Sequence, residues 1–306
     1  MDATTDEIIL NFRNKFRIYK DGRIERFIGE DIVSPSPDSD TAGVRSKDVV
    51  ISPETGLSGR LYLPKITHSA AGKLSFLLYI HGGAFCIMSP FSTIHHNYVR
   101  TLAAQANVVA FSVHYRRATE HLLPIAYDDA WDALKWAVAH SGGDGPEEWL
   151  NYHADFQRVF VAGDSAGATL SHSVVLRAGI DDGVNRGSRI IGMVLFHPFF
   201  TNDNPDELIE IIFPSKSGLN DPRLNPGADP RLRRLGCGKV LIFVAEEDSL
   251  RDRGRNYYKA LKESGWGGSV EIVETEGEGH VFHLFDPESD KAMALMEQTV
   301  SFLKQG

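Results

Sequence analysis

The stretch RVFVAGDSAGATL, residues 158–170, decides the fold. Val159, Phe160, Val161 and Ala162 make a short apolar run of the kind that forms a buried strand. The run meets Gly163-Asp164-Ser165-Ala166-Gly167 with no padding, and helix-forming residues follow at once. A strand that turns so sharply into a helix leaves no room for a Cβ at the two glycines. It also lifts the serine hydroxyl above the sheet edge. This is the strand–turn–helix setting of a G-x-S-x-G nucleophile elbow. A helix starting at Ala166 aims its free N–H groups at whatever forms on Ser165.

A serine hydroxyl alone is a weak nucleophile, so this reading requires a base and a group to orient it. Both must lie farther along the chain, in the order Ser, Asp, His. KVLIFVAEEDSLRDR, residues 239–253, places an acidic cluster after a strong strand pattern. Asp248 is the preferred acid; Glu246 and Glu247 stand nearer the strand, and Asp252 reads as a helix N-terminal charge. SVEIVETEGEGHVFHLF, residues 269–285, supplies the base. His280 sits in the glycine-containing loop, whereas His283 lies among Val281, Phe282, Leu284 and Phe285 and reads as a packing residue. YIHGGAF, residues 79–85, completes the set. Glycines just after a strand let backbone N–H groups face an oxyanion, and each such donor is worth about 3–4 kcal/mol. Gly82 and Gly83, with the N–H of Ala166, are expected to form that hole.

Outward from these motifs, eight strand-like runs appear between Lys47 and Glu276. The first follow one another directly, and the later ones alternate with helical stretches, which predicts a mixed sheet whose larger part is parallel. Helices are expected over IAYDDAWDALKWAVAHSGG, over DRGRNYYKALKESG and from about Pro287 to Leu303, the first two ending at glycines. DIVSPSPDSDTAGVRSKD, residues 31–48, lacks periodicity and reads as surface. Phe12, Phe16, Ile18, Ile24 and Phe27 precede it, so residues 1–45 are expected to be an arm or lid on one domain spanning 1–306.

Composition narrows the partners. A net charge of −9 offers no basic face for nucleic acid. No apolar stretch approaches the roughly 20 residues needed to span a membrane. Two cysteines, Cys86 and Cys237, make no disulfide framework, and the first residues lack the basic and apolar segments of a signal peptide. A reduced, soluble, cytoplasmic protein is expected. His95-His96 lacks the spacing of a helical zinc site and reads as a helix face, so no metal is expected. Cys86 and Met88 read as pocket lining, and Trp131, Trp136 and Trp149 as packing.

Together these motifs resemble the α/β-hydrolase fold, and within it the hormone-sensitive-lipase-like carboxylesterases, most closely those of plants. The resemblance runs through IYKDGRIER (18–26), YIHGGAF, YRRATEHLLPIAYDD (115–129), GDSAG, NPGADP (225–230), VAEEDSLRDRG (244–254) and ETEGEGHVFHLF (274–285). It implies a mostly parallel eight-stranded sheet with helices on both faces and an N-terminal cap segment. It also implies hydrolysis of small-molecule carboxylic esters without a cofactor. Ser165 would attack the acyl carbon, His280 would carry the proton and Asp248 would hold His280, with Ala84 and Phe85 near the substrate and Phe12, Phe16 and Ile24 in the cap. Some relatives of this branch are lyases or cyclases acting on plant metabolites, and those tend to carry threonine where Ser165 stands. Gibberellin receptors keep the fold but lose the histidine that His280 retains here. Three departures stand out. Ala84 replaces the third glycine of His-Gly-Gly-Gly, narrowing the space beside an oxyanion. YRRATEH carries Arg117 and Thr119, expected to alter packing only. The stretch from Pro198 to Pro214 is short, which reduces the cap on that side.

Overall fold

The computed structural model describes residues 7–38, 43–65, 72–181, 187–201, 206–214 and 221–305. Three short strands open the chain, β1 (Ile8–Phe12), β2 (Phe16–Tyr19) and β3 (Ile24–Arg26), paired antiparallel in a small sheet of their own. The central sheet takes β4 (Val44–Ser52), β5 (Leu57–Pro64), β6 (Leu74–Ile80), β7 (Val109–His114), β8 (Ala154–Asp164), β9 (Ile190–Phe196), β10 (Lys239–Ala245) and β11 (Ser269–Thr275). Their spatial order is β11-β10-β9-β8-β6-β7-β5-β4. Only β5 runs against its neighbours; every pair from β7 across to β11 is parallel. The eight strands read from the sequence are these eight.

Parallel strands need crossovers, and helices supply them: α1 (Thr93–Ala106), α2 (Ile125–Val138), α3 (Glu148–His153), α4 (Ala166–Ala178), α5 (Glu207–Ile212) and α6 (Arg251–Glu263); α7 (Phe282–Phe285) and α8 (Asp290–Lys304) follow the last strand. Side chains of a strand alternate between faces, so each central strand feeds two cores. Phe76, Leu78, Val159 and Val161 pack with the apolar stripes of α2 and α4. Leu77, Tyr79, Phe160 and Phe243 pack with Val99, Leu102, Leu295 and Phe302 of α1 and α8. All seven residues of β6 are buried, which explains its unbroken apolar sequence. The edge strand β11 is only half covered and carries Glu271 and Glu274. Trp131 is fully enclosed, and Trp136 and Trp149 pack against the same core. Among the described residues, no helix is long and apolar enough to cross a membrane.

The first sheet is fastened to the body through Arg26. Its guanidinium donates to the Cys86 carbonyl (2.6 Å) and the Ala118 carbonyl (3.2 Å), and grips the Glu120 carboxylate through both terminal nitrogens (2.8 and 2.7 Å). Arg117 and Thr119 do more than alter packing. Arg117 reaches Glu30 at 2.6 Å, and the Thr119 hydroxyl donates to the Gly22 carbonyl at 2.6 Å, so both residues tie the arm down.

Candidate active site

Strand β8 ends at Asp164, α4 starts at Ala166, and Ser165 alone makes the turn between them. Its backbone sits at φ 52° and ψ −119°, a conformation that costs a non-glycine residue about 1–3 kcal/mol. Neighbouring strands hold it there. The Ser165 N–H donates to the Phe196 carbonyl (2.8 Å), and its own carbonyl accepts from the Phe199 N–H (3.1 Å). The flanking glycines are dictated by collision. A Cβ on Gly163 would press into the carbonyls of Gly167 and Ile80, and one on Gly167 into those of Ile80 and His81.

Strands β10 and β11 run parallel and in register to Ala245 and Thr275, so the loops that follow them emerge side by side. One loop carries Asp248 and the other His280. Asp248 Oδ1 accepts the Leu250 N–H at 2.8 Å, and Oδ2 lies 2.8 Å from His280 Nδ1. A carboxylate can only accept, so Nδ1 carries the ring proton and Nε2 presents its lone pair to the Ser165 hydroxyl, 2.9 Å away. Burial pushes the Asp248 carboxyl up, but His197, His280 and the Leu250 N–H outweigh it and hold the group well below the usual carboxylate range. Asp248 is thus ionised at any ordinary pH. The competing acids stand elsewhere: Glu246 accepts the Gly277 N–H at 2.8 Å, and Asp252 is exposed on the first turn of α6.

His283 packs among rings, 5.1 Å from both Phe196 and Tyr98, yet among the described residues neither of its nitrogens has a hydrogen-bond partner. Burial, then the charge of His197, holds it well below the ordinary histidine range, so the ring is neutral. His197, at the end of β9, was not legible as a site residue. Its Nδ1 accepts the Val281 N–H at 2.8 Å and so pins the residue after His280. His197, Asp248 and His280 hold ligand-type atoms within 4.8 Å of one another, but these atoms already serve Val281, Leu250 and Ser165.

The loop after β6 corrects one expectation. Gly82 was expected to offer its N–H to the site, but that N–H is taken by Asp164 Oδ1 at 3.1 Å. The same oxygen accepts from the Tyr79 hydroxyl (2.8 Å) and lies 3.2 Å from His95 Nε2. Burial raises the Asp164 carboxyl, and His95 and Tyr79 outweigh that and keep it well below its usual range. Gly82 is required for a different reason: a Cβ there would strike the Asp164 carboxylate. Gly83, at φ 100°, then turns the chain, and Gly83, Ala84 and Ser165 line one cleft. His95 is buried on α1 and also borders that cleft, while its neighbour His96 bonds Arg60 and Tyr62 away from it.

The cleft encloses about 220 Å³. Phe12, Ile28, Met88, Phe199, Leu284 and Phe285 give it an apolar wall, and Ser165 and His280 lie at its floor. Phe85 does not reach it. With φ 63° the chain turns this ring inward, where it is fully buried against Phe199 and Tyr127. Of the arm residues expected over the pocket, Phe12 is present, but Phe16 is buried beneath it in a 4.9 Å stack and Ile24 packs on the core. Cys86 is buried outside the cleft, with burial pushing its thiol up to about 12. The short stretch between Pro198 and Pro214 falls partly on residues 202–205, outside the described residues.

Residues 77–284 match the family model described as alpha/beta hydrolase fold. The chain is 41% identical to 2-hydroxyisoflavanone dehydratase of Glycyrrhiza echinata, covering 98% of each chain. It is 44% identical to probable carboxylesterase 7 of Arabidopsis thaliana, covering 95% of this chain and 96% of that one. Among solved structures, the hyperthermophilic esterase from the archaeon Pyrobaculum calidifontis superposes with a TM-score of 0.69 at 27% identity, over 85% of each chain. With its eight-stranded sheet and this likeness along nearly its full length, the chain belongs to the α/β-hydrolase family, in the plant carboxylesterase branch of carboxylic ester hydrolases.

Proposed function

We propose that the chain is a serine carboxylesterase that cleaves small-molecule esters through an acyl-enzyme on Ser165. The observation that carries this reading is the unbroken line of hydrogen bonds from Ser165 Oγ through His280 to Asp248, at 2.9 and 2.8 Å. His280 Nε2 takes the hydroxyl proton as Ser165 attacks the ester carbon, then gives it to the departing alcohol. Water attacks the acyl-enzyme by the same route in reverse and frees the acid. Asp248 fixes the ring tautomer and stabilises the imidazolium that forms.

The oxyanion is received by the N–H groups of Gly83 and Ala166, with that of Ala84 beside them; among the described residues none of the three is hydrogen-bonded to a protein acceptor. Asp164 acts as a positioning residue, since it anchors Gly82 and so aims the next two amides. The arm serves as a cap on one domain. Its turn residues Arg13 and Lys15 border the same cleft as Ser165, and the two cysteines, free and buried, fit a reducing cytoplasm.

Ser165→Ala tests the reading. It should lower p-nitrophenyl butyrate turnover by about 10⁴-fold or more while the far-ultraviolet spectrum and melting stay unchanged. Labelling by a fluorophosphonate should be lost with it. Undiminished turnover would end the proposal. The likeness to a dehydratase supplies the second reading, elimination of water from a specialised metabolite in the same cleft. Turnover of a 2-hydroxyisoflavanone with no release of p-nitrophenol from any acyl ester would establish that one instead.

A further inference from the structure

Around the roof of the cleft the chain gathers positive charge that its own acids answer only in part. Arg13 and Lys15, from the turn between β1 and β2, and Arg253, from α6, all border the cleft with Ser165. Each cation lies by an aromatic ring of the same wall. Arg13 stands 5.7 Å from the centre of Phe12, Lys15 5.7 Å from Phe285 and Arg253 5.3 Å from Phe199. Among the described residues neither Arg13 nor Lys15 has a carboxylate partner. Arg13 has only a long 3.4 Å bond to the Ser249 hydroxyl. Arg253 donates to the Phe200 carbonyl (2.9 Å), and its buried Nε has no partner among the described residues.

Two carboxylates line the cleft, and among the described residues neither pairs with Arg13 or Lys15. Asp164 is taken up by Tyr79, Gly82 and His95. Asp206 caps α5 and pairs with Arg253 at 3.8 Å. The cations also act on one another: burial lowers the Lys15 ammonium and the charge of Arg13 lowers it further, while Arg253 is lowered by burial, drawn part of the way back by the charges of Asp206 and Asp248, and lowered again by Arg13. In a chain of net charge −9, Arg13 and Lys15 repel one another beside an apolar cleft; among the described residues neither has a carboxylate partner, and Arg253 beside them has only the Asp206 carboxylate at 3.8 Å.

We propose that the ester bound in this cleft carries a carboxylate, held at the roof by Lys15 and Arg13 with Arg253 beside them, while its scissile carbonyl lies at Ser165. This rests on the esterase reading and narrows its substrates to acidic esters. The apolar wall takes the body of such a molecule. Hydrolysis with one water leaves the carboxylate unchanged and yields an alcohol and an acid, one of which bears the original carboxylate.

Two matched pairs test it, one for each side of the ester. Monoethyl adipate set against its neutral amide, ethyl adipamate, places the charge on the acyl side. 4-Acetoxybenzoate against 4-acetoxybenzamide places it on the alcohol side. In at least one pair the carboxylate should exceed the amide about tenfold in kcat/KM, chiefly through KM. Lys15→Gln should bring that ratio toward one, and adding Arg13→Gln should remove what is left. Lys262→Gln, which deletes an exposed cation on α6 away from the cleft, should not change it. Equal rates within both pairs, or a preference that survives the double substitution, would overturn the proposal. If no ester is cleaved at all, the esterase reading has failed, and the anion is decided by calorimetry. Binding of 4-hydroxybenzoate or adipate but not of their amides upholds the charged roof, and absence of binding by all of them refutes it.

Discussion

Ser165 and Lys15 face the same cleft, but one is held by main-chain collisions and the other by side-chain packing and pairings. Below Ser165, Gly163 and Gly167 approach the carbonyls of Ile80 and His81 so closely that no side chain fits. Above it, the turn carrying Lys15 belongs to a small sheet that is held to the body by Leu10, Phe16 and Ile18 in the core and by the pairings of Arg26, Arg117 and Thr119 at its margin. The floor therefore has one geometry, fixed to fractions of an ångström by packed backbone. The roof can change residues without disturbing the sheet. On the proposed reading, chemistry and selectivity are lodged in parts of the molecule with different tolerance to mutation, and that contrast can be tested directly.

The largest effect belongs to the floor. Gly167→Ala drives a methyl group into two carbonyl oxygens that belong to the end of β6 and the residue after it. Neither can withdraw without opening the pairing of β6 with β8. A loss of at least about 3 kcal/mol in denaturant-induced unfolding is expected, with activity falling alongside it. A stable and active alanine variant would show that the elbow is looser than its packing indicates.

These same features explain what the sequence could and could not reveal. The elbow was legible because its glycines, serine and helix start are local, and Asp248 and His280 followed from the order of the chain. The central strands β6, β7, β9 and β10 were legible as runs of Val, Ile, Leu and Phe, and the outer ones as shorter apolar stretches among polar residues. What escaped was set by contacts between distant segments. Nothing local in HGGAF says that the Gly82 N–H is taken by a carboxylate 82 residues on, or that the Phe85 ring turns into the core. Asp164 passed as the variable position of a motif, although an acid at the end of a buried strand demands donors. The arm strands were missed because strands of five, four and three residues are too short to show an alternation. Lys15 and Arg13 look like ordinary surface cations until the turn is placed over Ser165.

A second, smaller effect separates the two regions by pH. Around the floor and the core beneath it, burial lowers the pKa of His81, His197 and His283, and it holds His172 at about 3 and His114 at about 4. In the unfolded chain each returns to about 6.5. Above that value both states are neutral and the histidines leave stability unchanged. Below it the unfolded state binds protons that the folded state refuses, so stability falls as pH drops from about 6.5 toward the folded values. Asp164 and Asp248 add to the loss at lower pH still, because their carboxyls are held below the unfolded range. At pH 5 a histidine with a folded value near 3 costs about 2 kcal/mol. His172 lies away from the reacting atoms and bonds the Tyr257 hydroxyl at 2.9 Å. His172→Asn should therefore flatten the fall of unfolding free energy between pH 6.5 and 5 by about that amount. An unchanged slope would mean that the ring is protonated in the folded protein.

The smallest effect is expected at the roof. Glu120→Gln removes one charge from the Arg26 clamp but leaves the two carbonyl acceptors on the Cys86 and Ala118 backbone in place. Glu120 is half exposed, so the lost pairing is worth no more than about 1 kcal/mol. Burial raises the Glu120 carboxyl, but the hydrogen bond and charge of Arg26 draw it below its ordinary range. It is therefore ionised, and its contribution is full, above the unfolded carboxylate value of about 4.3, fading as pH falls through the lowered one. Global unfolding of Glu120→Gln should match the parent within about 0.5 kcal/mol, while amide exchange in β2 and β3 should quicken several-fold at pH 7. Turnover of a small neutral ester should change less than about threefold. Exchange quickening equally in β6 and β8 would mean that roof and floor open as one unit, and the division of labour between them would not hold.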